Sequence, residues 1–375
     1  MKVTFLTRTV RGGGAERQIL TLAGGLARRG VEVVITTFYG PPVDFVAPAG
    51  TRLLAGDKRG RWDIIGFGLK LWRTLRHERP DILYSWLPAA NCLAVAMRPS
   101  LPRTLVALGV GASNVDLGCY DRLSALVYHA ERRLARFADV IISNSEAGRR
   151  HCVALGYPDE RLVVVPNGID SVAFRRDDAG RARLRDEWRI GDDGFAVGVV
   201  GRLDPMKDHA TFLDALSILA PRFPSLRGVI VGDGPGELRR GLEAYAAACG
   251  IADRLIWGAA RNDVVAVYSA LDCLCLSSAF GEGLPNVVAE AMACRTPCAV
   301  TDVGDTSQLV AHTGRVAPPR DPAALAAAIE SILRLDPGDR AAMGEAARQR
   351  VVDLYGIERL VDATLASLDA KHRKR

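Results

Sequence analysis

Short β-rich runs alternate with helical runs along nearly the whole chain, and that alternation restricts the fold more than any other feature. Each strand–helix–strand step argues for a parallel sheet flanked by helices. In the first half, strand candidates fall at Val3–Thr7, Val31–Phe38, Ile82–Ser85, Leu105–Leu108, Val140–Ser143 and Leu162–Val165. Helical stretches near Ala15–Arg29, Asp63–His77, Asp121–Phe137 and Ser145–Leu155 separate them. Turn residues in Val165-Pro166-Asn167-Gly168-Ile169-Asp170 break the series. After a charged segment, Asp177–Arg189, it restarts with strands at Ala196–Val200, Gly228–Val231, Leu255–Trp257, Cys273–Ser277 and Cys298–Thr301. Helices fit Ala210–Arg222, Leu238–Cys249, Asp263–Ser269, Pro285–Cys294, Pro322–Leu335 and Ala341–Leu354. The economical architecture is α/β, with two doubly wound, Rossmann-like domains over 1–170 and 171–356. A length of 375 residues fits two domains. Ligands of such sheets bind outside the carboxyl ends of the strands, so two facing domains would hold an active site in the cleft between them.

Composition removes several function classes. Hydrophobic residues make up 49 % and charged residues 25 %, as in ordinary globular chains, and no apolar run approaches the ~18–20 residues that span a bilayer. The start, MKVTFLTRTV, reads as a first strand, because Arg8 ends its apolar stretch too early for a signal-peptide core. Eight cysteines include no CxxC pair and no zinc-ligand spacing, so reduced, mostly buried thiols in a cytoplasmic protein are expected, with no metal site. Charge is uneven. Residues 1–170 carry 23 Lys and Arg against 15 Asp and Glu, a net +8, while the remainder carries 26 against 28, a net −2. A basic first half suits a polyanionic partner, nucleic acid or an anionic lipid surface, as well as a merely Arg-rich surface. No nucleic-acid module is recognisable, so no nucleic-acid partner is expected.

Four constellations could carry chemistry. In the densest, Ser278-Ala279-Phe280-Gly281-Glu282-Gly283-Leu284-Pro285-Asn286, a strand runs into a glycine-containing loop, and Pro285 suits the first turn of a helix. Amides at that helix start would bind an anion or polar ligand. Glu282 at the mouth and Glu290 inside the helix are poor phosphate ligands but good acceptors for sugar hydroxyls. The bland alternative is a capping Glu and a solvated one. Second, Gly201-Arg202-Leu203-Asp204-Pro205-Met206-Lys207-Asp208 follows a strand and offers two cations for a diphosphate, or only Arg202–Asp204 and Lys207–Asp208 surface pairs. Third, Val231-Gly232-Asp233-Gly234-Pro235-Gly236 approximates a dinucleotide fingerprint, interrupted by Pro235. Fourth, Arg11-Gly12-Gly13-Gly14-Ala15-Glu16 after the first strand could approach a phosphate, or form a tight strand-to-helix turn.

In order and spacing, these motifs with Asn167-Gly168-Ile169-Asp170 and Ala291-Met292-Ala293-Cys294 resemble the retaining glycosyltransferases of family 4, of GT-B fold and bacterial cell-surface polysaccharide type. The resemblance covers essentially the whole chain. It implies that Arg202 and Lys207 hold the donor diphosphate and that Glu282, with the backbone of Gly283, Leu284, Pro285 and Asn286, contacts the donor sugar. Glu290 would accept from ribose hydroxyls, and Gly13 and Gly14 would approach the phosphates. Gly234 and Arg261 are implied near the base. The last helix, about 357–375, is implied to return to the first domain. Three departures stand out. Arg295 replaces the usual Gly, Asp305-Thr306-Ser307-Gln308 lacks the usual Glu, and Ala107–Asn114 lacks the usual active-site His, with Ser113 or Asn114 as its conceivable substitutes.

The implied reaction transfers a hexose from a nucleoside-diphosphate sugar to a saccharide or lipid-linked acceptor with retained configuration, without metal or other cofactor. It would serve exopolysaccharide, lipopolysaccharide or glycolipid assembly. The run Arg59-Gly60-Arg61-Trp62-Asp63-Ile64-Ile65 through Arg76 and Arg79 mixes aromatic, aliphatic and basic residues. It suits weak peripheral binding at the inner face of the cell membrane, or a core helix with snorkelling Arg. A sugar-nucleotide epimerase of the same fold, a nicotinamide-dependent oxidoreductase and a non-catalytic saccharide-binding protein are the competing readings.

Overall fold

The computed structural model describes residues 1–10, 13–42, 45–60, 62–119 and 121–372. Arg11, Gly12, Arg61 and the basic tail Arg373–Arg375, singled out above, lie outside them. The chain divides into two compact units. Met1–Ser113, Leu117–Gly168 and Ile357–Arg375 form the first, and Ile169–Gly356 with Asn114–Asp116 the second. The chain thus leaves the first unit after Gly168 rather than after 170.

The first unit holds seven strands, β1 (Lys2–Thr7), β2 (Glu32–Thr37), β3 (Thr51–Ala55), β4 (Ile82–Trp86), β5 (Leu105–Val110), β6 (Val140–Ser143) and β7 (Leu162–Val164). They form one sheet in the order β3-β2-β1-β4-β5-β6-β7, every neighbouring pair parallel. Helices α1 (Gly14–Arg28), α2 (Ile65–Glu78), α3 (Pro88–Met97), α4 (Arg122–Leu134) and α5 (Glu146–Ala154) connect them. A parallel sheet buried on both faces reads as continuous apolar strands, and the alternate residues separate into two cores. Val3, Phe5, Ile82 and Tyr84 join Ile19, Leu22 and Leu26 of α1, while Leu6 and Leu83 join Phe67, Leu71 and Leu75 of α2.

The second unit repeats the design. Strands β8 (Phe195–Val200), β9 (Leu226–Val231), β10 (Leu255–Gly258), β11 (Cys273–Leu276), β12 (Cys298–Thr301) and β13 (Arg315–Ala317) order as β10-β9-β8-β11-β12-β13, again all parallel. Its helices are α6 (Asp178–Glu187), α7 (His209–Leu219), α8 (Gly236–Ala248), α9 (Val264–Ala270), α10 (Asn286–Ala293), α11 (Thr306–Val310), α12 (Pro322–Leu333) and α13 (Pro337–Leu354). The last helix, α14 (Ile357–His372), belongs to the first unit, where Leu360, Val361 and Leu368 join the α1 side of the core. In each sheet the winding reverses once, between β1 and β4 and between β8 and β11. Such a reversal opens a crevice at the carboxyl ends of the two strands, which makes the loops after β8 and β11 the place to look for chemistry.

Two features shape the strand ends of the first unit. Gln18 of α1 makes a two-way bond with the Gly168 backbone, Nε2 to oxygen at 2.9 Å and nitrogen to Oε1 at 3.0 Å. A Cβ on Gly168 would stand 2.9 Å from Leu360, so the Asn-Gly-Ile-Asp motif needs its glycine where α14 packs. In the α2 and α3 core, Glu131 is buried and accepts from Asn91, which also bonds Ser85 and the Gly109 carbonyl. Burial pushes the Glu131 carboxyl up to about 7. Five of the eight cysteines are buried and all eight are free thiols.

Candidate active site

The loop after β8 is built to hold a lysine. Asp204 accepts from the Met206 amide at 3.1 Å and sets a single 3₁₀ turn that ends at Lys207. Asp208, left-handed at φ 45°, then caps α7 through the Thr211 amide and hydroxyl. Two bonds tie this loop to the one after β11. The Ala279 amide donates to the Met206 carbonyl at 2.8 Å, and Ser277 Oγ donates to the Lys207 carbonyl at 2.7 Å.

That splice brings Lys207 and Glu282 together. Lys207 Nζ donates to Glu282 Oε1 at 2.6 Å, and Ser278 Oγ donates to the same oxygen at 2.6 Å. The Lys207 and Glu282 side chains are only 15 % and 8 % exposed. A charge pair this sheltered is screened little by salt, and its attraction exceeds that of a surface pair. Lys207 therefore pairs across the switch point with Glu282, not along the chain with Asp208.

Glycines allow the loops to approach. Gly304 has φ 69°, and a Cβ there would stand 2.4 Å from the Glu282 carbonyl oxygen and 2.5 Å from that of Gly283. The Asp305 amide donates to the Gly283 carbonyl at 2.9 Å, so the turn after β12 supports the Glu282 loop from behind. Gly232, at φ 152°, packs against the Gly201 carbonyl, 1.8 Å from where a Cβ would sit. Gly234 packs against Leu203, whose Cβ lies 2.5 Å from where a Gly234 Cβ would sit. The glycines of the Gly232-Asp233-Gly234 run thus serve loop-to-loop packing, which accounts for their resemblance to a dinucleotide fingerprint.

Other expected site residues are placed differently. Arg202 is 69 % exposed and pairs with Asp204 at 2.7 Å, the local pairing that the sequence left open. Glu290 is buried at 2 % exposure and accepts from the Tyr268 hydroxyl at 2.7 Å, so it is neither a solvated helix Glu nor close-paired with Lys207. The Leu284 side chain belongs to the apolar core, which leaves its backbone for a ligand. Pro285 is the N-cap of α10 rather than its first residue, and Asn286 begins the helix. Arg261 is engaged by its neighbours: its guanidinium bonds Asp263 at 2.8 Å and Glu187 at 2.7 Å, these carboxylates raise its pKa, and it braces α6 against the start of α9. Gly13 is the extended N-cap of α1, with Glu16 folded back to within 2.0 Å of its Cβ position. No side chain caps the helix at Gly13, and Glu16 stands at the N3 position, where a carboxylate suits a helix start.

Sequence motifs did not single out Tyr268 or Gly304, since each acts through a tertiary contact, and Ser278 stands in the densest motif without a role of its own. His209, the first residue of α7, is 3 % exposed. Burial and then Lys207 push its pKa down to about 4, so its imidazole is neutral beside the cation. In the stretch that lacks the usual His, Ser113 is 1 % exposed and Asn114 is left-handed at φ 47°.

Comparison with known proteins places this geometry. The profile of the glycosyl transferases group 1 matches residues 180–350, and that of Glycosyltransferase Family 4 matches residues 12–172. The GDP-mannose-dependent alpha-(1-6)-phosphatidylinositol monomannoside mannosyltransferase of Mycobacterium tuberculosis is 32 % identical over 286 residues, 72 % of this chain and 71 % of that one. The chain belongs to glycosyltransferase family 4. Another relative of this glycosyltransferase, the D-inositol 3-phosphate glycosyltransferase of Mycobacterium marinum, is 28 % identical across 95 % of this chain and 80 % of its own. Its fold is GT-B. Anabaena HepE in complex with UDP-glucose superposes with a TM-score of 0.83 at 20 % identity, over 99 % of this chain and all of that one. Sucrose-phosphate synthase from Thermosynechococcus elongatus gives 0.84 at 20 % identity over both whole chains.

Proposed function

We propose that this glycosyltransferase moves a hexose from a nucleoside-diphosphate sugar to an acceptor hydroxyl, retains the anomeric configuration, and serves glycolipid or cell-surface polysaccharide assembly. The observation that carries the reading is the sheltered Lys207–Glu282 pair at the switch point of the second sheet. An ammonium has three N–H donors, so Lys207 can bond Glu282 and diphosphate oxygens together. The Glu282 carboxylate accepts from the hydroxyls of the hexose. Glu290, held by Tyr268, accepts from ribose, and Arg202 swings from Asp204 to the diphosphate, which its exposure permits. The relatives that act on inositol phosphate and phosphatidylinositol mannoside favour a polyol or glycolipid acceptor.

As the bond from the anomeric carbon to the diphosphate oxygen breaks, negative charge grows on the leaving group. Lys207 and Arg202 stabilise that charge in the place where a metal ion would otherwise serve. The acceptor oxygen bonds the anomeric carbon on the face the diphosphate leaves, and its proton passes to the departing phosphate oxygen. No enzymic base is required, which suits a chain without the usual His. In a panel of nucleotide sugars, one donor is expected to raise the melting temperature and to support transfer to a phosphatidylinositol or saccharide acceptor. A panel in which none binds would remove this reading.

A peripheral membrane location draws its support from α2 and its approach. Phe67, Leu71 and Leu75 face the core, as a core helix requires. Trp62, Ile64, Ile65 and Leu69 are 77, 60, 78 and 51 % exposed nonetheless. Lys70 and Arg76 flank them, Lys70 paired with Asp57 and Arg76 stacked 5.2 Å from the centre of the Trp72 ring. No described helix is long and apolar enough to cross a membrane, so this surface would hold the protein at an anionic bilayer face. Sedimentation with anionic liposomes at low salt is expected to pellet the protein, and a Trp62→Ser/Ile65→Ser variant to stay in the supernatant. A parent protein that remains in the supernatant removes the membrane location.

A further inference from the structure

At the carboxyl ends of β4 and β6, a cavity of about 10 Å³ is lined by Tyr84, Trp86, Asn144, Asn167 and Thr364, with apolar side chains between them. Three of these residues carry a polar atom without a well-formed hydrogen bond in the protein, namely Asn144 Oδ1, Thr364 Oγ1 and Trp86 Nε1, the last reaching only weakly toward the Tyr84 hydroxyl. Their exposures are 8, 0 and 8 %. Buried polar groups nearly always find partners, and one left alone is costly, so three around a single hole require an explanation.

Size and chemistry supply it. A cavity of roughly 10–15 Å³ by this measure holds one water molecule, provided two to four polar groups surround it. An indole N–H only donates, an amide oxygen only accepts, and a hydroxyl does either. We propose that the cavity is a hydration site for one buried water. That water accepts from Trp86 Nε1 and donates to Asn144 Oδ1 and Thr364 Oγ1. Its valences balance without any protonation change.

The site is a polar bridge within an apolar contact. α14 meets the sheet through Leu360, Val361 and Leu368, and Thr364, which lines the hole, lies amid them. Trp86 is fixed opposite, because its ring lies over Gly109, where a Cβ would come within 2.9 Å of three ring atoms. Both strand partners lead into loops. Trp86 precedes Leu87, which has φ 76° and ψ 149°, a conformation otherwise almost confined to glycine. Asn144 precedes Ser145, whose hydroxyl caps α5. The water therefore ties the last helix to the roots of two loops on the ligand-binding edge of the first sheet.

Substitution of Thr364 by valine distinguishes a wet cavity from a dry one by sign. Thr364→Val keeps the shape and removes the hydroxyl. With the water bound, it deletes one of three bridges and is expected to raise the unfolding equilibrium constant of the full chain five- to tenfold in urea titration. In a dry cavity it removes an unpaired hydroxyl, so an unchanged or lowered constant would overturn the proposal. A high-resolution crystal structure of the parent protein gives the independent check. One solvent peak within hydrogen-bond distance of all three atoms is expected, and an empty cavity refutes the assignment.

Discussion

Lys207→Ala is expected to slow sugar transfer by roughly 100- to 1000-fold, about 2.7–4 kcal/mol, the range seen when one preorganised donor to a developing anion is lost. The effect falls on donor affinity and on kcat together, since Lys207 meets the diphosphate in the bound donor and meets more charge as the glycosidic bond breaks. Arg202→Ala removes a cation that is 69 % exposed and paired with Asp204, so solvent screens it more and the loss is expected near 30-fold. The double variant should fall below either single one. Initial rates with the donor found by thermal shift measure both effects. Because Lys207→Ala leaves Glu282 sheltered without its cation, unfolding of each variant is followed in parallel to separate lost catalysis from lost fold.

Gly304→Ala carries the second large effect, and it acts on stability and on the site together. A left-handed conformation costs an L residue about 1–2 kcal/mol. The added Cβ would also meet two carbonyl oxygens at 2.4 and 2.5 Å, and backbone cannot rotate aside as a flexible side chain does. Overpacking of this kind costs about 1–3 kcal/mol, so a total near 3 kcal/mol is expected in urea unfolding. Those two carbonyls belong to Glu282 and Gly283, so donor affinity should fall with stability. Gly30→Ala is the internal control. Gly30 has φ 78° and nothing within 4 Å of its Cβ position, so that variant should lose only the conformational part and keep its donor affinity.

Much of this molecule was legible in the order of its residues. The strands that carry both switch points, β1, β4, β8 and β11, announce themselves as short apolar runs, because a parallel sheet buried on both faces demands them. The elements that escaped notice lack such demands. β3 is an edge strand whose residues are half-buried or exposed, and β13 has three residues. α3 has no marked polar face to impose a period, and α6 reads as a charged segment because it buries only Gly180, Leu184 and Arg185.

The site divides along the same line. Lys207 and Glu282 stand in motifs whose turn residues, Asp204 and Gly281, are visible in the chain. Their meeting depends on bonds between positions 70 or more residues apart, which no local pattern encodes. Arg261 shows the same limit. A basic residue in a loop after β10 invites a ligand role, and in the fold Glu187 and Asp263 also engage it. Only the fold reveals that α6 brings Glu187 to it.

A double-mutant cycle on Lys207 and Glu282, read as donor affinity by calorimetry, tests the central claim most directly. If both side chains grip one nucleotide sugar as a unit, Lys207→Ala, Glu282→Gln and their combination will weaken donor binding non-additively, with a coupling of about 1 kcal/mol or more. Donor affinity unchanged in both single variants would contradict the account.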